Sequence, residues 1–150
     1  MEKQKGFTLV ELVVVIVILG LLAAAALPRF INVTDEARAA SVNGVAGGLR
    51  SAVALARAQY VVNGVNTATT VTMEATTVTV LSESGNAGLG GRPVQAANGI
   101  EAAMPTPSGY TVSHAGATSI YTPTGGGANC QISYDADGTG DPVTVDVSGC

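Results

Sequence analysis

The chain has 150 residues, which is enough for one domain. It carries 7 basic and 11 acidic side chains, and the resulting net charge of −4 argues against nucleic acid as a partner. Only 12% of its residues are charged while 47% are hydrophobic, and tryptophan is absent. A large aromatic ligand pocket is therefore not expected, and an ordinary soluble enzyme fits this composition poorly.

The charges divide the chain into two unlike parts. Both lysines, Lys3 and Lys5, lie in the first six residues. Between Val61 and Cys150 the only basic residue is Arg92. This distal part should be repelled by anionic surfaces and is not expected to bind nucleic acid. Its acids are Glu74, Glu83, Glu101, Asp135, Asp137, Asp141 and Asp146.

The N-terminal apolar run is the strongest signal in the sequence. Residues Leu12 to Leu27 are all apolar or glycine, about the length of a membrane-spanning helix. The basic start and Ala24-Ala25-Ala26 would also suit a removable secretory signal. Both interpretations leave Glu11 unexplained, because a carboxylate near a bilayer centre costs roughly 2.5–3.5 kcal/mol. At the membrane interface that cost is smaller.

A third interpretation accounts for the acid. The stretch Gly6-Phe7-Thr8-Leu9-Val10-Glu11 and the apolar residues after it resemble the leader of type IV pilins. The resemblance implies that a prepilin peptidase cuts between Gly6 and Phe7, removes Met1 to Gly6 and methylates the new amine of Phe7. The stretch at Val10–Asn32 is most similar to pilins of the mannose-sensitive haemagglutinin class.

The same resemblance assigns an assembly role to Phe7 and Glu11. The two residues are four apart and are therefore neighbours on one helical face. A charged amine and a carboxylate in apolar surroundings each need a partner. The family resemblance implies that Glu11 meets the Phe7 amine of an adjacent subunit, which would set the register of the growing filament.

The sequence predicts an α+β fold, with one long helix over about residues 8–62 and a small antiparallel sheet packed on its C-terminal half. The helix divides into a hydrophobic part, 7–28, and an amphipathic part, 29–62. Gly20 and Pro28 are the expected sites of a kink, although Pro28 fits a helix boundary nearly as well. The predicted core stripe is Val42, Val45, Leu49, Val53, Ala56 and Tyr60.

Residues 63–150 are expected to form a Ser-, Thr- and Gly-rich β domain. Residues 69–81 read as one strand, 110–114 and 119–121 as short extended pieces, and 82–98 as a loop. The clearest hairpin is at the end, where Cys130, Ile132 and Tyr134 alternate along one arm. Val143, Val145 and Val147 alternate along the other arm.

Cys130 and Cys150 are expected to form a disulfide around this hairpin. No Cys-x-x-Cys motif or nearby histidine supports a metal site, and a disulfide implies an oxidising compartment. Two free thiols are the alternative. The paired cysteines also resemble the disulfide-bounded region of type IV pilins.

The remaining candidate sites are weak. Asp135, Asp137 and Asp141 place oxygen ligands on a flexible loop, which makes Ca²⁺ a weak candidate, while a solvated hairpin loop is favoured. His114 has no acid or cysteine beside it in sequence and is expected to be a solvated strand residue. No catalytic motif is present, so no enzymatic activity and no cofactor are expected.

The sequence therefore predicts the major subunit of a type IV pilus, a filament for adhesion with further roles in motility or biofilm formation. The expected partners are identical subunits, the prepilin peptidase and the inner-membrane assembly machinery. The precursor should span the inner membrane once, and the assembled form should be extracellular. A pseudopilin of a type II secretion system and a minor pilin are the alternatives, and a secreted enzyme is the alternative from another class.

Overall fold

The computed structural model of the chain describes residues 6–64 and 67–150, except for the side chains of residues 27–32. Of the predicted leader, residues 1–6, the first five lie outside the described residues. The chain divides into two compact units, Met1–Ala37 and Arg38–Cys150. The secondary-structure elements are α1 (Leu9–Asn63), β1 (Thr70–Met73), β2 (Thr76–Thr79), α2 (Ile100–Ala103), β3 (Tyr110–Ala115), β4 (Thr118–Pro123), β5 (Gln131–Asp135) and β6 (Val143–Asp146).

The long predicted helix is confirmed, with bounds within one residue of those expected. In the first unit, Leu9–Ala26 is long and apolar enough to cross a membrane, and none of it is buried. Gly20 lies inside this helix with open space where a Cβ would stand. Pro28 falls among the residues whose side chains are not described, so the kink stays a prediction.

In the second unit, the helix buries the predicted stripe except for Val45, which is only half-buried, while the neighbouring Ala46 is buried. Val42, Ala46 and Leu49 are fully buried, and Leu49 packs in a cluster with Tyr121 and Ile132 from the sheet. A second cluster joins the next turns of the helix to the first hairpin, through Ala56, Tyr60, Val71, Val78 and Val80. The period of the stripe therefore identifies the face of the helix that carries the hydrophobic core.

The prediction of one small sheet is wrong in number, because the second unit contains two antiparallel sheets. One is the hairpin β1-β2, and the other has the strand order β3-β4-β5-β6. Residues 69–81 form two strands rather than one, since the chain reverses at Glu74, which adopts a left-handed φ of 53°. Polar Thr residues on both sides of this turn conceal the break in the alternation.

The terminal hairpin is confirmed. Tyr134 pairs with Val143 and Ile132 pairs with Val145, so the two alternating arms share one face. Ile132, Tyr134 and Val143 are buried against the rest of the core. The short helix α2, Ile100–Ala103, was not expected, and it contributes the fully buried Ile100.

Candidate functional site: the N-terminal segment and the loops held by arginines

The N-terminus of α1 is closed by a reciprocal cap. The backbone N–H and the hydroxyl of Thr8 both donate to Oε2 of Glu11, at 2.9 and 2.8 Å. The backbone N–H of Glu11 donates in return to the Thr8 hydroxyl at 3.3 Å. This Thr-x-x-Glu arrangement is a capping box, which satisfies the free N–H groups at the start of a helix. The sequence analysis did not assign this second role to Glu11.

The cap leaves part of the Glu11 carboxylate available. Both Thr8 bonds end on Oε2, and Oε1 accepts no hydrogen bond from any residue within the described ranges. Glu11 is also the only charged residue in the apolar span Leu9–Ala26. One oxygen of the carboxylate can therefore accept from a second subunit while the other still caps its own helix.

Phe7 lies just before this cap and is 84% exposed. Leu9 and Val10 are also largely exposed, as are the large apolar residues from Leu12 to Leu22. A continuous apolar surface of this kind is stable only when lipid or another protein covers it. The segment therefore needs lipid or another protein surface to cover it.

The comparisons with known proteins bear on this segment. Residues 1–27 match the family model described as the prokaryotic N-terminal methylation motif. The type IV narrow pilus major component PilA5 of Thermus thermophilus is 53% identical over 57 residues, which are 38% of this chain and 49% of that relative. The N-terminal resemblance to type IV pilins is confirmed.

Two further relatives match the chain over similar lengths. The type IV major pilin protein PilE1 of Neisseria gonorrhoeae is 50% identical over 50 residues, covering 33% of this chain and 30% of the relative. A fimbrial protein of Moraxella nonliquefaciens is 42% identical over 57 residues, covering 38% and 37%. The matches thus span half or less of the length of these pilins. No solved structure was found to match the chain.

The predicted disulfide is present in the second unit. Cys130 and Cys150 are bonded, and Cys130 is buried in the main core cluster. The Arg38 guanidinium on α1 donates to the carbonyl oxygen of Cys150 at 2.6 Å. Cys150 is therefore joined by a covalent bond to Cys130, just before β5, and by a hydrogen bond to the helix.

Two more arginines of α1 hold loops of the second unit. Arg50 donates through Nε to a carboxylate oxygen of Asp141 at 2.8 Å and through Nη2 to the carbonyl of Val143 at 2.9 Å. Arg57 donates to the carbonyl of Gly88 at 3.3 Å. These contacts connect residues 31 to 93 positions apart, so no local sequence pattern reports them.

The three aspartates of the candidate calcium loop have separate partners. Asp135 accepts from the backbone N–H groups of Asp137 and Gly138, while Asp137 accepts from the side-chain amide of Gln95. Asp141 accepts from Arg50. Across the described ranges, no three His, Cys, Asp or Glu side chains form a group that could hold a metal ion. Calcium at this loop stays a prediction that the geometry does not favour.

The Asp141 carboxylate makes the free energy of unfolding depend on pH. Partial burial disfavours its charge, but the Val143 N–H and the Arg50 guanidinium outweigh this, so the pKa of Asp141 is lowered below its ordinary 3.8. A lowered native pKa means that the contact stabilises the fold above pH 4 and is lost as the pH falls through the native pKa. We expect Asp141→Asn to lower the free energy of unfolding by up to about 1 kcal/mol at pH 7, because the pair is exposed.

The measurement is urea unfolding of the detergent-solubilised protein between pH 7 and pH 2.5. The difference between wild type and Asp141→Asn should shrink below pH 4. Adding Arg50→Gln also removes the hydrogen bond to the Val143 carbonyl. The double variant should therefore be less stable than Asp141→Asn by at most the contribution of that bond. A difference that stays constant down to pH 2.5 would show that the carboxylate charge is not involved.

His114 is an exposed residue of strand β3, as expected, but it has two side-chain partners that the sequence did not indicate. Its Nε2 lies 2.7 Å from a carboxylate oxygen of Glu101, and its Nδ1 lies 2.8 Å from the hydroxyl of Ser119. The order acid–imidazole–hydroxyl is found in hydrolases, but Ser119 is fully buried here and no substrate can reach its oxygen. The arrangement joins α2 to the β3-β4 hairpin.

Proposed function

We propose that the chain is the structural subunit of a type IV pilus, and that it polymerises through its N-terminal helix into a surface filament. One observation carries the proposal: the methylation motif is followed by an apolar helix that is exposed throughout Leu9–Ala26 and interrupted by one acid, Glu11. The matched relatives are named as pilus or fimbrial proteins.

The mechanism follows from the physical chemistry of this helix. In the precursor, the apolar segment spans the inner membrane once, with the basic leader on the cytoplasmic side. Prepilin peptidase removes the residues up to Gly6 and methylates the Phe7 amine, which keeps its positive charge. Subunits then transfer the same apolar surface from lipid to one another, and burial at about 25 cal/mol per Å² holds the fibre together.

Glu11 supplies the register in this mechanism. An amine brought into an apolar fibre core needs a counter-charge, and the free Oε1 of Glu11 is the acceptor that a neighbouring Phe7 amine would meet. If a subunit docked out of register, the Phe7 amine and the Glu11 carboxylate would both be left unpaired. The inner-membrane assembly machinery adds subunits, and adhesion is the use we assign to the resulting filament, with motility and biofilm formation as further roles.

Labelling of cells with gold-conjugated antibody against residues 38–150 tests the proposal. A major pilin gives label along the whole length of surface fibres, and these fibres disappear when the coding sequence is deleted. Label confined to fibre ends would indicate a minor pilin. Label confined to the periplasm would indicate a pseudopilin and would contradict the proposed function.

A further inference from the structure

The only basic residue of the distal part of the chain is buried inside it. Arg92 is 5% exposed, although arginine is almost never buried unless its charge is matched. No salt bridge found among the described residues includes it. Its Nε is buried without a hydrogen-bond partner in the described residues, so the contacts of the guanidinium are made by Nη1 and Nη2.

Three backbone carbonyls from one loop surround it. Nη1 donates to the oxygens of Ala136 at 3.3 Å and Gly138 at 2.7 Å, and Nη2 donates to the oxygen of Gly140 at 2.8 Å. The three acceptors alternate along the chain, so every second carbonyl from Ala136 to Gly140 turns toward the guanidinium. Carbonyl oxygens grouped in this way favour a cation, since each oxygen presents the negative end of a dipole.

The surroundings of the loop fit a positive charge at the guanidinium. Asp135 at the end of β5 and Asp137 and Asp141 in the loop after it all lie in the seven-residue segment 135–141. All three carboxylates have other hydrogen-bond partners, since Asp135 accepts from backbone N–H groups, Asp137 accepts from Gln95 and Asp141 accepts from Arg50. The segment thus combines three acidic side chains with three carbonyl oxygens that contact a single guanidinium.

The segment that carries Arg92 is itself fixed on both sides of the residue. The backbone carbonyl of Arg92 accepts from Leu81, and Pro93 forms a bridge to Val80 beside the β1-β2 hairpin. The Tyr134 hydroxyl donates to the carbonyl of Pro93. The backbone that carries the guanidinium is therefore held by contacts outside the 136–142 loop, and the Arg92 side chain links this backbone to the loop.

We infer that Arg92 is the built-in cation of the 135–141 segment, and that its guanidinium, and not a metal ion, orders this segment. The loop binds a guanidinium group through the carbonyls of Ala136, Gly138 and Gly140. Its order consequently depends on this side chain and not on calcium. The terminal hairpin would then keep one conformation whatever the metal content of the medium.

The inference predicts chemical rescue. Arg92→Ala leaves a cavity lined by three carbonyls, and free methylguanidinium at about 20 mM should enter it. We expect the variant to melt roughly 10 °C below wild type, since charged hydrogen bonds inside the fold are lost. Methylguanidinium should recover at least about half of this loss and should restore slow hydrogen exchange in the peptide that covers residues 135–141.

The experiment uses full-length protein in detergent, with near-ultraviolet circular dichroism of the tyrosines and hydrogen exchange as the readouts. The matched control is Arg50→Ala, which removes another guanidinium that contacts the same hairpin, from an exposed position on α1, so methylguanidinium should not rescue it. Arg92→Lys, which keeps the charge but cannot span three carbonyls, should fall between wild type and Arg92→Ala.

Three results would overturn the inference. One is a melting temperature of Arg92→Ala equal to that of wild type. Another is equal methylguanidinium effects on Arg92→Ala and Arg50→Ala. The third is slower hydrogen exchange of residues 135–141 in the wild-type protein on addition of 5 mM Ca²⁺, because this would show that a metal ion orders the segment. If Arg92→Ala does not fold, Arg92→Lys and the calcium titration of wild type still decide the question.

Discussion

Cells that express Glu11→Gln should make normal amounts of processed protein in the inner membrane and almost no filaments. The amide keeps the shape of the side chain and can still accept from Thr8, so the helix cap is preserved. The negative charge is lost, and the Phe7 amine of the next subunit would be buried without a counter-charge. We expect the amount of sheared filament to fall at least about tenfold, measured by immunoblot of the sheared fraction against whole cells.

Thr8→Val is the matched control for this variant. It removes the hydroxyl of the capping box at a cost of about 1 kcal/mol and leaves the Glu11 charge in place. Filaments should therefore still form. Filaments at normal abundance from Glu11→Gln would refute the role of the charge, and loss of filaments from Thr8→Val alone would assign the effect to the cap.

Replacement of both Cys130 and Cys150 by alanine should destabilise the second unit by about 3 kcal/mol. The bond joins residues 20 positions apart, and in the chain-entropy model a loop of this length gives a stabilisation of about that size. Truncation of the buried Cys130 adds to the loss. The measurement is urea unfolding of the detergent-solubilised protein under non-reducing conditions.

Reductant provides the internal control for the cysteine variant. Dithiothreitol should lower the stability of wild type toward that of the double variant and should leave the double variant unchanged. In cells, the variant should be degraded faster, because a loss of this size is a large part of the stability of a small domain. Equal urea midpoints for wild type and variant would contradict a stabilising disulfide.

The sequence predicted best those features that repeat along the chain. The buried face of α1 follows from the spacing of Val42, Leu49 and Val53, and the terminal hairpin follows from two alternating arms. The spacing of apolar residues in these patterns directly reflects which side chains are buried. The bounds of α1 were also predictable, since the helix lies between the start signal at Thr8 and a glycine with left-handed φ, Gly64.

Features that depend on one unusual backbone angle or on a distant contact were missed. Glu74 turns the β1-β2 hairpin in a conformation that favours glycine, and no glycine marks the position. The charge count singled out Arg92, but its partners are 44 to 48 residues away. The capping box at Thr8 and Glu11 did have a local signal, the Thr-x-x-Glu spacing, and sequence analysis could have found it.

The most direct test of the proposed function is the intact mass of the protein sheared from the surface of its native cells, under non-reducing conditions. The account predicts a chain that lacks Met1 to Gly6, carries one added methyl group at Phe7 and has two hydrogens fewer because Cys130 and Cys150 are bonded. The mass of a chain that begins at Leu27, or recovery of the protein only from the culture medium, would contradict the proposed function. The apolar helix would then be a discarded signal and could not hold a filament together.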